Sequence, residues 1–495
     1  MDPIFELHLT RPPKGSRASA EILFVQLKDA IVEGRLATGA QLPATRNSAV
    51  YFGVSRHTCA TVYERLLAAG YLVTRHGSGT FVAPRPTSAS RSRPAKLEPD
   101  HRLNPVWLSA DVASAMGFWR ETPTRHVAEK RVLADFRPAL VDPQLFPFDV
   151  FRRVCAKQLR GFERRPASLR SPQGNQGNYA LRGAVMHHIA LTRAVACDPD
   201  DILIVSGAQQ GFDLLARALV RPGETIVAVE DPGYPPLRVP FIAAGAVVVP
   251  VPVDEEGLVV DALPAGTKVI CVTPSHQFPL GVAMSSSRRQ SLLAYAREHG
   301  AVIIEDDYDG EFRYEGSPLE ALKAVDVSDS VFYVGTFSKC MLPSLRLGFV
   351  VAPNWAMSTL VAAKNALDWH CSTPLQVTVA AFIAEGHLAH HVRRMRELYG
   401  RRRELLRQYL DGPLAKWFEA IPSFYGMHVT ATARPAVDVE TAAARLLQDG
   451  VKIHTLARYH RGEPTRTGVV LGYGAAGSAQ LAIGVEKLCQ ALSRC

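Results

Sequence analysis

No stretch of the sequence approaches the roughly 20 uninterrupted apolar residues that a bilayer-spanning helix needs, so a helical membrane protein is excluded and no membrane partner is expected. The opening residues, MDPIFELHLTRPPKG, carry no basic segment followed by an apolar one. No export signal is read there, and a cytoplasmic location is expected. The eight cysteines (59, 155, 197, 271, 340, 371, 489 and 495) include no C-x-x-C pair. In a chain this long that reads as reduced thiols rather than a disulfide frame or a zinc site, and no metal is expected. Internal repeats are also lacking. What is present is ample apolar material, 47% of 495 residues, which is too much chain for one ordinary domain. Basic residues outnumber acidic ones for a net charge of +9, which favours polyanions without proving that one is bound.

Residues 15–83 read as one compact unit. Ala20–Glu33 carries Ile22, Leu23, Leu27 and Ile31 at helical spacing and ends at Gly34. A second helix is predicted over Thr45–Phe52, broken at Gly53. A third runs from Ser55, a suitable N-cap, to about Ala69. Tyr71–Thr74 and Thr80–Ala83 then form two short strands around the turn Arg75-His76-Gly77-Ser78-Gly79. Residues 84–130 are rich in Pro, Ser and Arg and read as a flexible basic linker, within which Pro105–Trp119 has enough large apolar residues to dock locally.

From about 134 to 495, apolar runs such as ILIVSG, TIVAVE, KVICVTP, AVIIEDDY and VFYVGTF alternate with helical segments. That pattern predicts a parallel sheet covered on both faces. From about 390 the runs thin out, and a smaller α+β subdomain opens with the basic helix HHVRRMRELYGRRRELL.

Three helices followed by a two-stranded wing suit a duplex, because one helix can enter the major groove. The third helix starts with Ser55, Arg56, His57 and Thr58, short polar or cationic donors suited to phosphates and base edges. Arg46 lies one helix earlier, His76 sits at the wing tip, and Gly77 permits close backbone approach to the minor groove. Taken singly, Arg46 and Arg56 read equally well as solvated charges on a protein-interaction module. The whole frame, G-x-L-x-x-G-x-x-L-P-x-x-R, then G-V-S-R-x-T, L-x-x-x-G-Y-L and G-S-G-T-F-V, resembles the winged helix of the GntR family of bacterial regulators. The resemblance implies DNA contacts by Arg46, Ser55, Arg56 and Thr58, with wing contacts by His76 and Gly77.

The larger part offers the groups that pyridoxal 5′-phosphate demands: a lysine for a Schiff base, an acid for the pyridine nitrogen, an anion pocket and a flat partner for the ring. Lys339 follows the strand VFYVG, with Thr336, Ser338 and Arg346 near it as phosphate ligands. Asp306 and Tyr308 alternate on one face of AVIIEDDY while Asp307 points away. SGAQQG (206–211) joins a strand to a helix and frees backbone N–H groups for an anion, and Tyr234 in EDPGYPP is a stacking candidate. SGAQQGFD, DPGYP, TPSHQFPLG, EDDYDGEFRY and GTFSK…SLRLG, in that order, resemble fold-type I aminotransferases.

With the winged helix in front, the chain is similar to the MocR subfamily. The resemblance implies a multidomain fold: an α+β winged helix-turn-helix, then an α/β PLP-dependent transferase of fold type I with a small α+β subdomain. It implies Lys339 as the lysine that binds the cofactor, Asp306 at the pyridine nitrogen and Tyr308 at the phenolic oxygen. It places Tyr234 over the ring, Ala208, Gln209, Thr336, Ser338 and Arg346 around the phosphate, and His276 near the ring edge. It also implies a head-to-tail homodimer on double-stranded promoter DNA, modulated by the cofactor or by an amine forming an external aldimine with it.

Two departures bear on function. Aminotransferases hold the substrate carboxylate with an arginine near the C-terminus, and Val470 stands at that position here, with Arg458 and Arg466 nearby. The Asn of their N-P-x-G motif is Phe278. Cofactor binding is therefore expected without efficient turnover, and a working aminotransferase with an accessory DNA-binding module is the alternative.

Overall fold

The computed structural model describes residues 19–75, 78–84, 102–119, 132–164, 174–315 and 320–494. The chain divides into two compact units, Met1–Asp100 and His101–Cys495.

In the first unit, helix Ser19–Val32 turns Leu23, Leu27, Ala30 and Ile31 inward, against Phe52, Cys59, Val62 and Leu66 of helices Thr45–Phe52 and Arg56–Ala68. Gly53 ends the second helix in the left-handed region at φ 64°, a conformation that costs glycine little. Two residues later Ser55 caps the third helix, its side chain accepting from Thr58 N at 3.0 Å. Strands Leu72–Arg75 and Gly79–Val82 pair antiparallel as expected. A third strand, Gln41–Leu42, pairs with Gly79–Val82 on its other side. Two residues are too few to show an alternating pattern, so nothing in the sequence announces it.

The second unit is built on an eight-stranded sheet. Its spatial order is Ile202–Val205, Gly348–Val351, Val331–Thr336, Val302–Asp307, Thr267–Val272, Ile226–Asp231, Val247–Asp254 and Gly257–Leu258. The sheet is mixed rather than wholly parallel. Gly348–Val351 runs antiparallel to both its neighbours, and Gly257–Leu258 is antiparallel to Val247–Asp254. The reason is chain length: only residues 337–347 separate Thr336 from Gly348, with a short 3-10 turn and no crossover helix between them. Apolar side chains fill both faces, among them Leu203, Phe212 and Val334 on one and Ile270, Leu292 and Val331 on the other. The smaller subdomain carries an antiparallel sheet ordered Phe418–Ala420, His428–Ala433, Gly468–Gly472 and His454–Thr455, packed with helices His387–Asp411, Val439–Gln448 and Ser478–Leu492.

Within 84–130, the stretch read as a linker, the segment Pro105–Trp119 docks locally, as its large apolar residues suggested. Residues Pro105–Leu108 form a 3-10 turn and Ala110–Trp119 a helix that packs on helix Pro235–Ala243 of the second unit. Phe118 is 2% exposed, and Asp111 pairs with Arg238 at 2.8 Å and with Arg461 at 3.2 Å. Those partners lie far along the chain, beyond the reach of local pattern. The rest of that stretch, 85–101 and 120–131, lies outside the described residues. No helix among the described residues is long and apolar enough to cross a membrane.

Candidate functional site

Parallel strands of the large sheet end at a cavity of about 440 Å³. Ala208, Gln209, Tyr234, Asp306, Tyr308, Thr336, Ser338, Lys339 and Arg346 all line it. Ala139, Leu140, Phe212, Phe278, Pro343 and Ser344 complete the wall. Ala139 and Leu140 went unrecognised in the sequence. Their one local signal is the left-handed backbone of Ala139, φ 58°, which the sequence does not display.

Lys339 follows the strand Val331–Thr336, half-buried, and its Nζ donates to the Ala139 carbonyl at 2.7 Å. Burial pulls the amine down to about 8, with Arg346 acting in the same sense against Asp309 and Asp306. Asp306 is 6% exposed, and its Oδ1 is buried with no hydrogen-bond partner among the described residues. Burial, then the neighbouring Asp307, Asp309 and Glu230, push its carboxyl up to about 8. Asp307 points away from the cavity, as strand alternation predicts. It pairs there with Arg193 at 2.6 Å and accepts from the Tyr333 hydroxyl at 2.6 Å.

On another side of the cavity Gly207, at φ 79°, precedes helix Ala208–Leu219. A Cβ at Gly207 would lie 3.1 Å from the Arg346 guanidinium, so glycine permits the close approach in which Arg346 donates to Ser206 O at 2.9 Å. Thr336 Oγ1 donates to Ser338 Oγ at 2.9 Å, and Ser338 N donates to Thr336 Oγ1 at 3.2 Å. Helix N-terminus, guanidinium and hydroxyls together make a cradle for an anion. Gln209 borders the cavity but donates its side-chain amide to Pro236 O at 2.9 Å.

His276, which the resemblance put near the ring edge, is not among the lining residues. It is 2% exposed and sits behind Tyr308, its Nδ1 2.8 Å from the Tyr308 hydroxyl and 3.0 Å from Asp309 Oδ2. Thr273 and Gln277, on either side of it, both donate to the buried Glu230, and this anchors the segment inward.

Val470 is fully buried in an apolar cluster with Phe118, Phe278, Leu456 and Tyr459. Neither nearby arginine is among the lining residues. Arg458 donates to Gly117 O at 3.1 Å, and Arg466 faces Glu255 at 3.9 Å. Phe118 packs edge-on against Tyr234 at 5.5 Å and Phe278 at 6.2 Å, so a helix from the stretch read as linker backs two cavity walls.

In the first unit Arg46, Ser55, Arg56 and His57 are exposed and Thr58 is half-buried. The Ser55 and Thr58 hydroxyls also bond each other at 2.8 Å. His76 and Gly77 lie outside the described residues.

Residues 20–82 match the family model of bacterial regulatory proteins, gntR family, and residues 146–471 match that of aminotransferase class I and II. The first marks a DNA-binding module, and aminotransferases of the second kind are pyridoxal phosphate-dependent. The chain is 34% identical over 471 residues to the probable rhizopine catabolism regulatory protein MocR of Rhizobium meliloti, covering 94% of this chain and 92% of that one. It is 33% identical over 481 residues to the HTH-type transcriptional regulator TauR of Rhodobacter capsulatus, covering 97% and 98%. Among solved structures it resembles LysN, the alpha-aminoadipate aminotransferase of Thermus thermophilus. The TM-score is 0.68 at 24% identity, over 80% of this chain and 99% of that one, which is a likeness of fold.

Proposed function

The chain belongs to the MocR subfamily of GntR-type transcriptional regulators, and from that premise we propose that its promoter binding responds to pyridoxal 5′-phosphate, or to an amine engaging that cofactor, in the cavity around Lys339. The observation that carries this reading is the buried, unpartnered Asp306 Oδ1 in the same cavity as the Lys339 amine.

These residues fit the cofactor. Asp306 would accept from the protonated pyridine nitrogen and Tyr308 would meet the phenolic oxygen. Tyr234 would lie against the ring. Thr336, Ser338, Arg346 and the backbone at Ala208 and Gln209 would hold the phosphate. When bound, the cofactor supplies an aldehyde that takes up an amine and a ring that withdraws electrons. Lys339, with its amine lowered to about 8, is neutral in a useful fraction near physiological pH and so is nucleophilic.

Phe278, on the cavity wall, and the apolar cluster it shares with Val470 and Tyr459 offer no guanidinium to a carboxylate. Holding an amino acid for turnover depends on such positioning, which can be worth about 7–11 kcal/mol of barrier. That favours sensing over catalysis. Arg46, Ser55, Arg56, His57 and Thr58, with His76 and Gly77 in the wing, are the DNA contacts in this reading, and the working form is a cytoplasmic head-to-tail homodimer. An effector acts by binding one arrangement of the dimer better than another.

The test is a footprint on the DNA flanking this gene, with and without pyridoxal phosphate and a panel of amines. A protected site whose occupancy changes with the cofactor, and no longer changes in Lys339→Ala, supports the proposal. Absence of any sequence-specific footprint overturns it, and steady turnover of an amino donor with a keto acid would favour an enzyme instead.

A further inference from the structure

Tyr308 reaches the cavity wall from in front of a buried polar group that the proposed function leaves unused: His276, Asp309 and His428, each no more than 2% exposed. One atom, His276 Nδ1, lies 2.8 Å from the Tyr308 hydroxyl and 3.0 and 3.2 Å from the two Asp309 oxygens. A neutral imidazole nitrogen carries either one proton or one lone pair, so it serves only one of these neighbours at a time. If Nδ1 is bare, Tyr308 donates inward to it. If Nδ1 carries the proton, it donates to the Asp309 carboxylate, and the Tyr308 hydroxyl turns its proton elsewhere.

Both imidazoles are uncharged. Burial pulls His276 and His428 down to about 3 each. His428 Nε2 lies 2.9 Å from the Pro279 carbonyl and must carry the proton there, which leaves a lone pair on Nδ1; that nitrogen is buried with no partner among the described residues. His276 Nε2 is likewise unpartnered. The His276 and His428 rings lie 4.6 Å apart, and Asp309 offers an oxygen within 4.8 Å of both. With His428 fixed as the Nε2 tautomer, the variable proton is the one shared between His276 Nδ1 and its neighbours Asp309 and Tyr308. Arg403, from helix His387–Asp411, and Asp307 face His276, while Asp307, Glu311 and Lys339 face Asp309. Asp306, Glu230 and Tyr473 face Tyr308. Gly426, at φ 79°, packs so closely that a Cβ there would overlap the His276 ring and the Asp309 carboxylate.

We infer that His276 is a positioning residue for the cavity: through its hydrogen bond to Tyr308, the His276–Asp309–His428 cluster sets whether the Tyr308 proton points back into the protein or out toward a bound ligand. This rests on the reading that Tyr308 meets the phenolic oxygen of pyridoxal phosphate. Phe278, whose ring lies 5.4 Å from Tyr308, offers no donor, so on that wall the direction of the Tyr308 proton matters more. A hydroxyl donating outward stabilises negative charge on the phenolic oxygen and weakens its hold on the neighbouring proton.

The experiment is a pH titration of the absorbance of pyridoxal phosphate bound to the full-length protein. His276→Phe leaves Tyr308 free to donate outward and lowers the midpoint by about half to one pH unit, the size of one net hydrogen bond. Tyr308→Phe raises it. His276→Phe produces no further shift in the Tyr308→Phe background, which a merely structural role would not predict. His276→Asn keeps a polar atom near the Nδ1 position and falls between wild type and His276→Phe; this smaller change serves if the phenylalanine variant does not fold. A bound cofactor whose midpoint ignores His276, or shifts equally without the Tyr308 hydroxyl, overturns this inference alone. A wild-type protein that takes up no pyridoxal phosphate overturns the proposed function and this inference with it.

Discussion

Asp306 and Lys339 share one cavity, and burial drives their pKa values toward each other: the carboxyl rises to about 8 and the amine falls to about 8. Burial makes each group resist its charged form. On the proposed reading, a pyridinium at Asp306 and an aldehyde at Lys339 would relieve this arrangement.

That relationship predicts a pH signature in the cofactor-free protein. Between 3.8 and about 8 the folded state holds a proton on Asp306 that the unfolded chain has released, so this group's contribution to stability falls as pH rises. Between about 8 and 10.5 the unfolded chain holds a proton on its lysine that folded Lys339 lacks, so that contribution rises again. Asp306→Asn removes the falling limb, and Lys339→Met the rising one. Denaturant melts of wild type and both variants across this range check it, and parallel curves for all three would count against the assignment.

The first unit allows a separation of fold from recognition. Ser55 caps the third helix, so Ser55→Ala costs about 1 kcal/mol of stability and, as a proposed DNA contact, also weakens operator binding. Arg56 is exposed, with no role visible in the fold. Arg56→Ala should leave melting unchanged, weaken operator binding and reduce the slope of log affinity against log salt by about 1 if it contacts a phosphate. Salt-dependent binding titrations and thermal melts on the same two variants distinguish these roles.

Much of this was legible because the relevant signals are local. Strand alternation in AVIIEDDY puts Asp306 and Tyr308 on one face and Asp307 on the other, and the GVSRHT run announces a capped helix. What escaped depends on contacts between distant segments. His276 looks like a cavity residue by its motif, yet Glu230, 46 positions earlier, holds its neighbours and leaves it behind Tyr308. Local docking of Pro105–Trp119 was legible from its large apolar residues, but its partners were not: Phe118 buries against the rings of Tyr234, Phe278, His454 and Tyr459, all far along the chain. The antiparallel strand Gly348–Val351 reads like any other apolar run, since direction is set by the short connection and not by the residues of the strand.

Phe118 should matter for more than local order. Its burial holds helix Ala110–Trp119 against the walls that Tyr234 and Phe278 contribute to the cavity. Phe118→Ala removes a buried aromatic, which typically costs about 3–5 kcal/mol. Because the helix is also tied by Asp111 to Arg238 and Arg461, the expected result is partial loosening and not loss of the whole fold. Hydrogen exchange should speed up in residues 102–119 while the central strands stay protected. Equal acceleration throughout the second unit would contradict this division.

Val470→Arg tests whether the apolar cluster that Val470 shares with the cavity residue Phe278 decides what the cavity accepts. The side chain would enter an apolar cluster with Phe118, Phe278, Leu456 and Tyr459. A buried, unpaired guanidinium costs several kcal/mol, so the variant should melt well below wild type. The same substitution supplies the planar fork that an α-carboxylate fits. An amine that also bears a carboxylate should therefore raise the melting temperature of the variant more than that of wild type, whereas an amine without one should not. If Val470→Arg is as stable as wild type and indifferent to carboxylates, the guanidinium has found a route to solvent, and the apolar cluster is not what keeps carboxylates out.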